Sequence, residues 1–275
     1  MVKHLTHTSL NYKLLCSDLD GTLLSTKSDV SEFTISEIAR IKNKLRVILV
    51  SARMPSAMTY IQKSLGIENE PMVCYNGALV VHGENEISSI TIPLTILSRI
   101  HQLATVYSIQ LGLYYKNEWF VEEHSERVAK EINYTKNHPE FRSTTDSLSD
   151  WKARQISGAH KVMLMGAKDT TDSLFQDLQD TLGDAIAIYR SNETLIEIAP
   201  KSVSKLTAIQ LLLAPNETLD QVIAFGDNYN DFDMLKYVGC GVAVANARDI
   251  VKAIANYITA KNTDDGVARF IKEQL

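Results

Sequence analysis

Four acidic residues in two short stretches carry the chemistry of this sequence. "LLCSDLDGTLL" (14–24) places Asp18 and Asp20 two positions apart, and "VIAFGDNYND" (222–231) places Asp227 and Asp231 four apart. Each pair directly follows a short apolar run, where a buried strand would end. Two like charges about 4 Å apart repel by roughly 4 kcal/mol at an effective dielectric near 20. Carboxylates gathered at one sheet edge therefore call for a cation. A hard divalent ion takes oxygen ligands, and Mg2+ binds through one or two carboxylates together with substrate phosphate oxygens. The sequence holds no His/Cys cluster that would point to zinc. Either acidic pair alone reads as a solvated turn. Two such pairs, each at the end of an apolar run, are harder to read that way.

Two further positions suit a phosphoryl site. Ser51 follows "RVILV" and can offer its hydroxyl to a phosphate oxygen or cap a helix. Lys205 opens a helix after "EIAPKSVS". A cation in a first turn opposes the helix dipole, so a partner anion is one reading of Lys205 and a surface position the other.

The elements that must position these residues alternate along the chain. "KLLCS" (13–17), "RVILVS" (46–51) and "PMVCYNG" (71–77) read as buried strands, with helices over 31–44 and 55–66 between them. Asn76-Gly77 reads as the turn of a hairpin into "ALVVH". The C-terminal part resumes the pattern: a helix over 204–214, a strand over 221–227, a short helix over 230–238, a strand over 240–246, and helices over 248–255 and 265–275. Such alternation makes a parallel sheet with crossover helices, and ligands of these sheets bind outside the carboxyl ends of the strands. The predicted fold class is α/β, a doubly wound parallel-sheet (Rossmann-like) core built discontinuously from residues 1–85 and 190–275. Residues 86–189 read as an inserted α+β domain. Its elements are a helix at 93–108, strands near 111–115 and 118–122, a helix over 125–136, a polar connection over 137–158, a strand at 161–166 and a helix over 170–182. Strands near 185–190 and 194–198 follow. The polar stretches "HGENEISS" (82–89) and "RSNET" (190–194) read as the crossing linkers.

Composition narrows the function classes. Asp and Glu outnumber Lys and Arg by 33 to 28, and no basic run is present, which disfavours nucleic-acid binding through phosphate neutralisation. Cys16, Cys74 and Cys240 are odd in number and widely spaced; they fit neither a disulfide framework nor a metal site and read as small buried hydrophobes. "MVKHLTHTSLNYK" lacks the apolar segment of a signal peptide, and no run approaches the ~20 apolar residues of a membrane span. A reducing cytoplasm is the expected compartment.

"DLDGTLL", Ser51 in "LVSAR", Lys205 in "KSVSK" and "GDNYNDFDM" resemble the four ordered motifs of the haloacid dehalogenase-like (HAD) phosphohydrolases. "YNGA" (75–78), "NA" (246–247) and "DDGVA" (264–268) resemble its Cof-type branch. The similarity runs essentially the whole length. Two positions depart from the family pattern: Ser51-Ala52 stands where Thr-Gly is common, and Leu206 follows Lys205 where Gly is common. Ser51 follows Asp20 too closely for a domain between them, whereas the chain from Ser51 to Lys205 has ample room, which resembles the family's C2B cap.

The resemblance implies a Mg2+-dependent phosphomonoester hydrolase acting on a small phosphorylated metabolite such as a sugar phosphate. Asp18 would be the nucleophile, and Asp20 the acid and then the base. Ser51 and Lys205 would offset charge on the phosphoryl oxygens. The Asp18 carboxylate, the Asp20 carbonyl and Asp227 would hold the metal, with Asp231 acting directly or through water. Arg53, Asn76 and Gly77 lie near strand ends and would contact substrate. For Arg53 the alternative is an acid on its own helix; for Asn76-Gly77 it is a purely structural turn. Tyr114, Tyr115 and Trp119 read as packing residues rather than a sugar platform. A phosphotransferase or mutase on the same scaffold, or a non-catalytic metabolite-binding regulator, are the competing readings.

Overall fold

A computed structural model describes residues 12–26 and 29–275; the reading of residues 1–11 as lacking a targeting segment lies outside them. The chain divides into two compact units, one made of residues up to Ile87 together with Ser204–Leu275, the other of Ser88–Val203.

The first unit is built on an eight-stranded sheet. Its order is Tyr257–Ile258, Cys240–Ala243, Val222–Gly226, Leu14–Ser17, Arg46–Val50, Met72–Cys74, Leu79–His82 and Asn85–Ser89. The strands from Tyr257–Ile258 to Met72–Cys74 are parallel, and Leu79–His82 turns back antiparallel. Every residue of Leu14–Ser17, Val222–Gly226 and Cys240–Ala243 is buried, as expected of parallel strands covered on both faces. The flanking helices bury one stripe each. Glu32–Ile41 starts at Ser31, whose hydroxyl accepts the Thr34 N–H, and turns Thr34, Ile38 and Ile41 inward. Ser56–Leu65 stops at Gly66 in the left-handed region and buries Ala57, Met58, Ile61 and Leu65. Leu14–Ser17 runs between Val222–Gly226 and Arg46–Val50, with Ser17 level with Phe225 and Leu49. The register thus brings Asp18, Asp227 and Ser51 to one edge.

The second unit is a six-stranded sheet ordered Ile186–Asn192, Leu195–Pro200, Lys161–Met165, Gln110–Tyr115, Glu118–Val121 and Glu140–Phe141. All pairs are antiparallel except the last. Helices Leu94–Val106 and Lys168–Leu182 supply Leu97, Ile100, Leu174 and Leu178 to a core with Val162, Leu164, Ile196 and Ile198. Tyr114 stacks on Trp119 at 5.4 Å, and both are buried, as packing residues are.

Three expectations change. The connection expected over 137–158 contains a helix, Thr144–Ala153, capped by Ser143. Its buried positions are Thr144, Ser147 and Trp151, too polar a stripe to register as amphipathic. The second crossing falls at Val203/Ser204, not at 189/190. "RSNET" is the end of one strand and the Glu193-Thr194 turn of a hairpin whose strands both belong to the inserted sheet, with Asn192 Oδ1 accepting the Thr194 N–H; a polar hairpin tip has the composition of a linker. Tyr257–Ile258, two residues long, adds an edge strand too short to carry a periodic pattern.

Candidate active site

The turn after the first strand is tied to the acidic loop at the far end of the chain. Gly21 has φ of 84°, and a side chain there would come within 2.7 Å of Asp227 Oδ2. The absence of a Cβ therefore permits both the turn and the close approach. Thr22 Oγ1 donates to Asp227 Oδ1 (3.2 Å), and Asn246 Nδ2 donates to the Gly21 carbonyl (2.8 Å). Asp231 folds back beneath its own loop, where Oδ2 accepts the backbone N–H groups of Asp227 (2.9 Å) and Asn228 (3.0 Å).

Lys205 arrives from a third direction. Its helix, Lys205–Leu211, is started by Ser204 and Thr207 in a reciprocal capping box. Lys205 is only 1% exposed, and its Nζ donates to Asp18 Oδ1 (2.6 Å) and Asp231 Oδ1 (2.7 Å). The partner anion suspected for this lysine is thus a pair of carboxylates. Gly77, at φ 103°, lies where any side chain would collide with the Ser204 carbonyl, so the turn over 75–77 abuts the start of the lysine helix. That turn joins two antiparallel strands as expected, but Tyr75, Asn76 and Gly77 all have positive φ, a longer connection than a two-residue Asn-Gly turn.

Carboxylate oxygens of Asp18, Asp227 and Asp231 lie within 4.8 Å of one another. One ammonium against three carboxylates leaves two negative charges uncompensated. Burial, and then the charges of Asp231 and Asp227, hold Asp18 well above the usual carboxylate range although Lys205 opposes them. Burial and Asp231 push Asp227 up to about 6. Burial opposes the charge on Lys205, but Asp18 and Asp231 outweigh it and raise the lysine above its ordinary value. An all-oxygen donor set with two charges to spare suits a hard divalent cation. Asp231 already spends Oδ1 on Lys205 and Oδ2 on two backbone amides. Asp18 and Asp227 are consequently the carboxylates best disposed to ligate, and Asp231 holds the lysine and the loop.

The remaining expected residues take other positions. Asp20 does not join the three converging carboxylates. It is gripped by Arg53, whose Nε and Nη2 donate to Oδ2 (2.8 Å) and Oδ1 (2.7 Å). The acid that pairs with Arg53 thus comes from the first acidic stretch, not from its own helix. Ser51 is buried and its Oγ accepts the Arg53 N–H (3.2 Å), an i to i+2 turn rather than a helix cap, since the next helix begins at Ser56. Asn76 Oδ1 accepts from Asn230 Nδ2 (3.0 Å), which ties the hairpin turn to the acidic loop. Sequence reasoning does not find the Thr22, Asn230 and Asn246 contacts. Each residue adjoins a recognisable motif, but an isolated hydroxyl or amide has no spacing to mark it.

A family model described as haloacid dehalogenase-like hydrolase matches residues 15–271. Among curated proteins, the Bacillus subtilis 5-amino-6-(5-phospho-D-ribitylamino)uracil phosphatase YitU is 30% identical over 94% of this chain and 96% of its own. The Escherichia coli pyridoxal phosphate phosphatase YbhA is 29% identical over 96% of this chain and 98% of its own. Among solved structures, a haloacid dehalogenase-like hydrolase from Bacteroides thetaiotaomicron superposes with a TM-score of 0.86 at 29% identity, covering 96% of this chain and all of the other.

Proposed function

This chain belongs to the haloacid dehalogenase-like hydrolases and is a phosphatase of that family, and from that premise we propose that it cleaves small phosphorylated metabolites through an aspartyl-phosphate on Asp18. The observation that carries the reading is the buried Lys205 ammonium bridging Asp18 and Asp231 beside Asp227.

Asp18 attacks phosphorus in line, so that its carboxylate oxygen forms a new P–O bond as the bond to the leaving group breaks. Asp20 gives its proton to the departing oxygen. In the second half-reaction Asp20 takes a proton from water as that water attacks the phosphoryl group, releasing phosphate and Asp18. Lys205 and the Ser51 hydroxyl offset charge on the phosphoryl oxygens, the usual electrostatic task at such centres. Asp18, Asp227 and the Asp20 carbonyl would hold Mg2+, with Asp231 supporting them; the ion supplies neutralisation of the phosphoryl charge when bound. Asn76 and Gly77, at the strand-end turn beside the lysine helix, would contact the substrate. The inserted unit supplies selectivity, as grafted loops and domains do on shared cores. The named relatives act on a phosphoribitylamino-uracil and on pyridoxal phosphate. Phosphate monoesters of vitamin-like or sugar-like metabolites are accordingly the substrate class proposed for this chain.

The test is phosphate release from p-nitrophenyl phosphate and from a panel of such esters, with Mg2+ present and then chelated. Release that depends on Mg2+ and disappears in Asp18→Asn is expected. Folded, Mg2+-saturated protein that turns over no ester would overturn the reading.

A further inference from the structure

Arg53 and Asp20 differ sharply in burial: the arginine side chain is 4% exposed and the aspartate 49%. The arginine is also anchored at every level. Its N–H donates to Ser51 Oγ (3.2 Å) and its carbonyl accepts the Tyr75 N–H (3.1 Å). Its Nη1 reaches the Ala57 carbonyl (3.5 Å) and Tyr60 Oη (3.3 Å) in the first turns of Ser56–Leu65. The other side of the guanidinium presents Nε and Nη2 as a two-pronged fork to both oxygens of Asp20. A fork of this kind fixes direction as well as distance. The fixed member of the pair is therefore Arg53, and the member free to rotate is Asp20.

We propose that Arg53 is the positioning residue for Asp20: it docks the Asp20 carboxylate between proton transfers and returns it to one orientation each turnover. The proposal rests on the reading of Asp20 as the proton donor. While both oxygens face the fork, Asp20 is a carboxylate with no proton to give. It must therefore leave the dock to take a proton from the attacking water, and hold that proton away from the fork until the next leaving group receives it. As the P–O bond to the leaving group breaks, the proton passes from Asp20 to that oxygen, and Asp20 is left as a carboxylate, the form a guanidinium receives. Asp20 stands outside the cluster of Asp18, Asp227 and Asp231, although its charge is felt by Asp227, a repulsion that favours the side of Asp20 facing Arg53. Burial opposes the charge on Arg53, yet Asp20 outweighs it, so the dock stays charged.

The role separates from substrate binding and from plain scaffolding by its dependence on the leaving group. An alkyl phosphate needs a proton on its departing oxygen, whereas p-nitrophenolate leaves without one. General acids contribute about 10²–10⁴-fold, so Arg53→Met is expected to cut kcat/KM for an alkyl phosphate on the order of 10–100-fold, and that for p-nitrophenyl phosphate by no more than about threefold. In an Asp20→Asn background the same substitution should have little further effect on either ester. Arg53→Lys keeps the buried charge and stem but loses the fork; it replaces the Met variant if that one fails to fold, and should show the same bias in smaller measure. Equal losses on both esters, or a full Arg53 effect persisting without Asp20, would overturn the proposal. Wild-type protein that hydrolyses nothing defeats the phosphatase reading and this proposal with it. Active wild type with no leaving-group bias in the Arg53 variants defeats this proposal alone.

Discussion

Lys205 Nζ stands 2.6 Å from Asp18 Oδ1, joining the start of a late helix to the end of the first strand. Neither residue is stable there alone. Asp18 is 5% exposed and Lys205 1%, and a charge at such depth must be paired. Removing one partner of a buried pair typically costs about 3–5 kcal/mol. Lys205→Met is therefore expected to destabilise the metal-free protein by about that amount in urea unfolding, because it leaves three carboxylates facing one another. It should also lower kcat by about 10²–10³-fold, the scale on which a single electrostatic contact to a developing charge acts. A stability loss below about 1 kcal/mol would mean that Asp18 and Asp231 do not depend on the lysine.

Asp227 and Asp231 are both acidic but are expected to fail differently. Asp231 accepts from Lys205 and two backbone amides, so Asp231→Asn turns an amide N–H toward a donor and leaves a buried group unsatisfied. The expected loss is about 1–3 kcal/mol of stability. Asp227 bonds only to Thr22 by its side chain among the contacts described, and its charge is opposed by burial and by Asp231. Asp227→Asn should therefore raise rather than lower the melting temperature of the metal-free protein at neutral pH and weaken Mg2+ binding about tenfold or more. Calorimetric titration with Mg2+ beside thermal melts separates the two. The same ranking for both variants in both measurements would contradict the division of labour.

Much of this arrangement is legible in the order of residues alone. The apolar runs ending in Asp18, Ser51 and Asp227 mark strand ends, and parallel strands put those ends on one edge. Lys205 in a first helical turn signals an anion nearby. What the sequence conceals is pairing between polar groups: the turn of Asp20 toward Arg53, the seat of Asp231 on its own loop amides, and the Asn76–Asn230 tie. These depend on side-chain direction within loops, which has no periodicity. The Thr144–Ala153 helix escapes a reading by periodicity for a related reason, since its inward face holds two hydroxyls and one Trp.

Gly77 tests whether the hairpin positions the lysine from behind. With φ at 103° and the Ser204 carbonyl directly against the site of a Cβ, Gly77→Ala must strain the turn or push back the start of the Lys205 helix. Expected are a loss of about 1–3 kcal/mol and a fall in kcat despite every polar group of the site being retained. Asn76→Ala, which removes the bond to Asn230 and asparagine's ease in the left-handed region at φ 55°, should cost about 1 kcal/mol at this half-buried position. Equal effects of the two substitutions would show that the close approach to Ser204 carries no special weight.

Acidity supplies the last test. Burial, and then the charge of Asp231, push Asp227 up to about 6, from an ordinary 3.8. A carboxyl that keeps its proton longer in the fold than in the unfolded chain favours the fold at low pH. That contribution is complete below about pH 4 and is lost as pH rises through about 6. Metal-free protein should accordingly become less stable across this window. A divalent cation reverses the sign, because it binds the ionised carboxylates and must displace their protons. The stabilisation conferred by Mg2+ is therefore expected to be small near pH 5 and to grow through pH 7, with affinity rising up to about tenfold per pH unit for each proton displaced below the transition. Thermal melts with Mg2+ and with chelator across this range read both trends at once, and in Asp227→Asn both should flatten. Mg2+ stabilisation equal at pH 5 and pH 7 would show that no carboxyl of the cluster holds a proton the metal must remove.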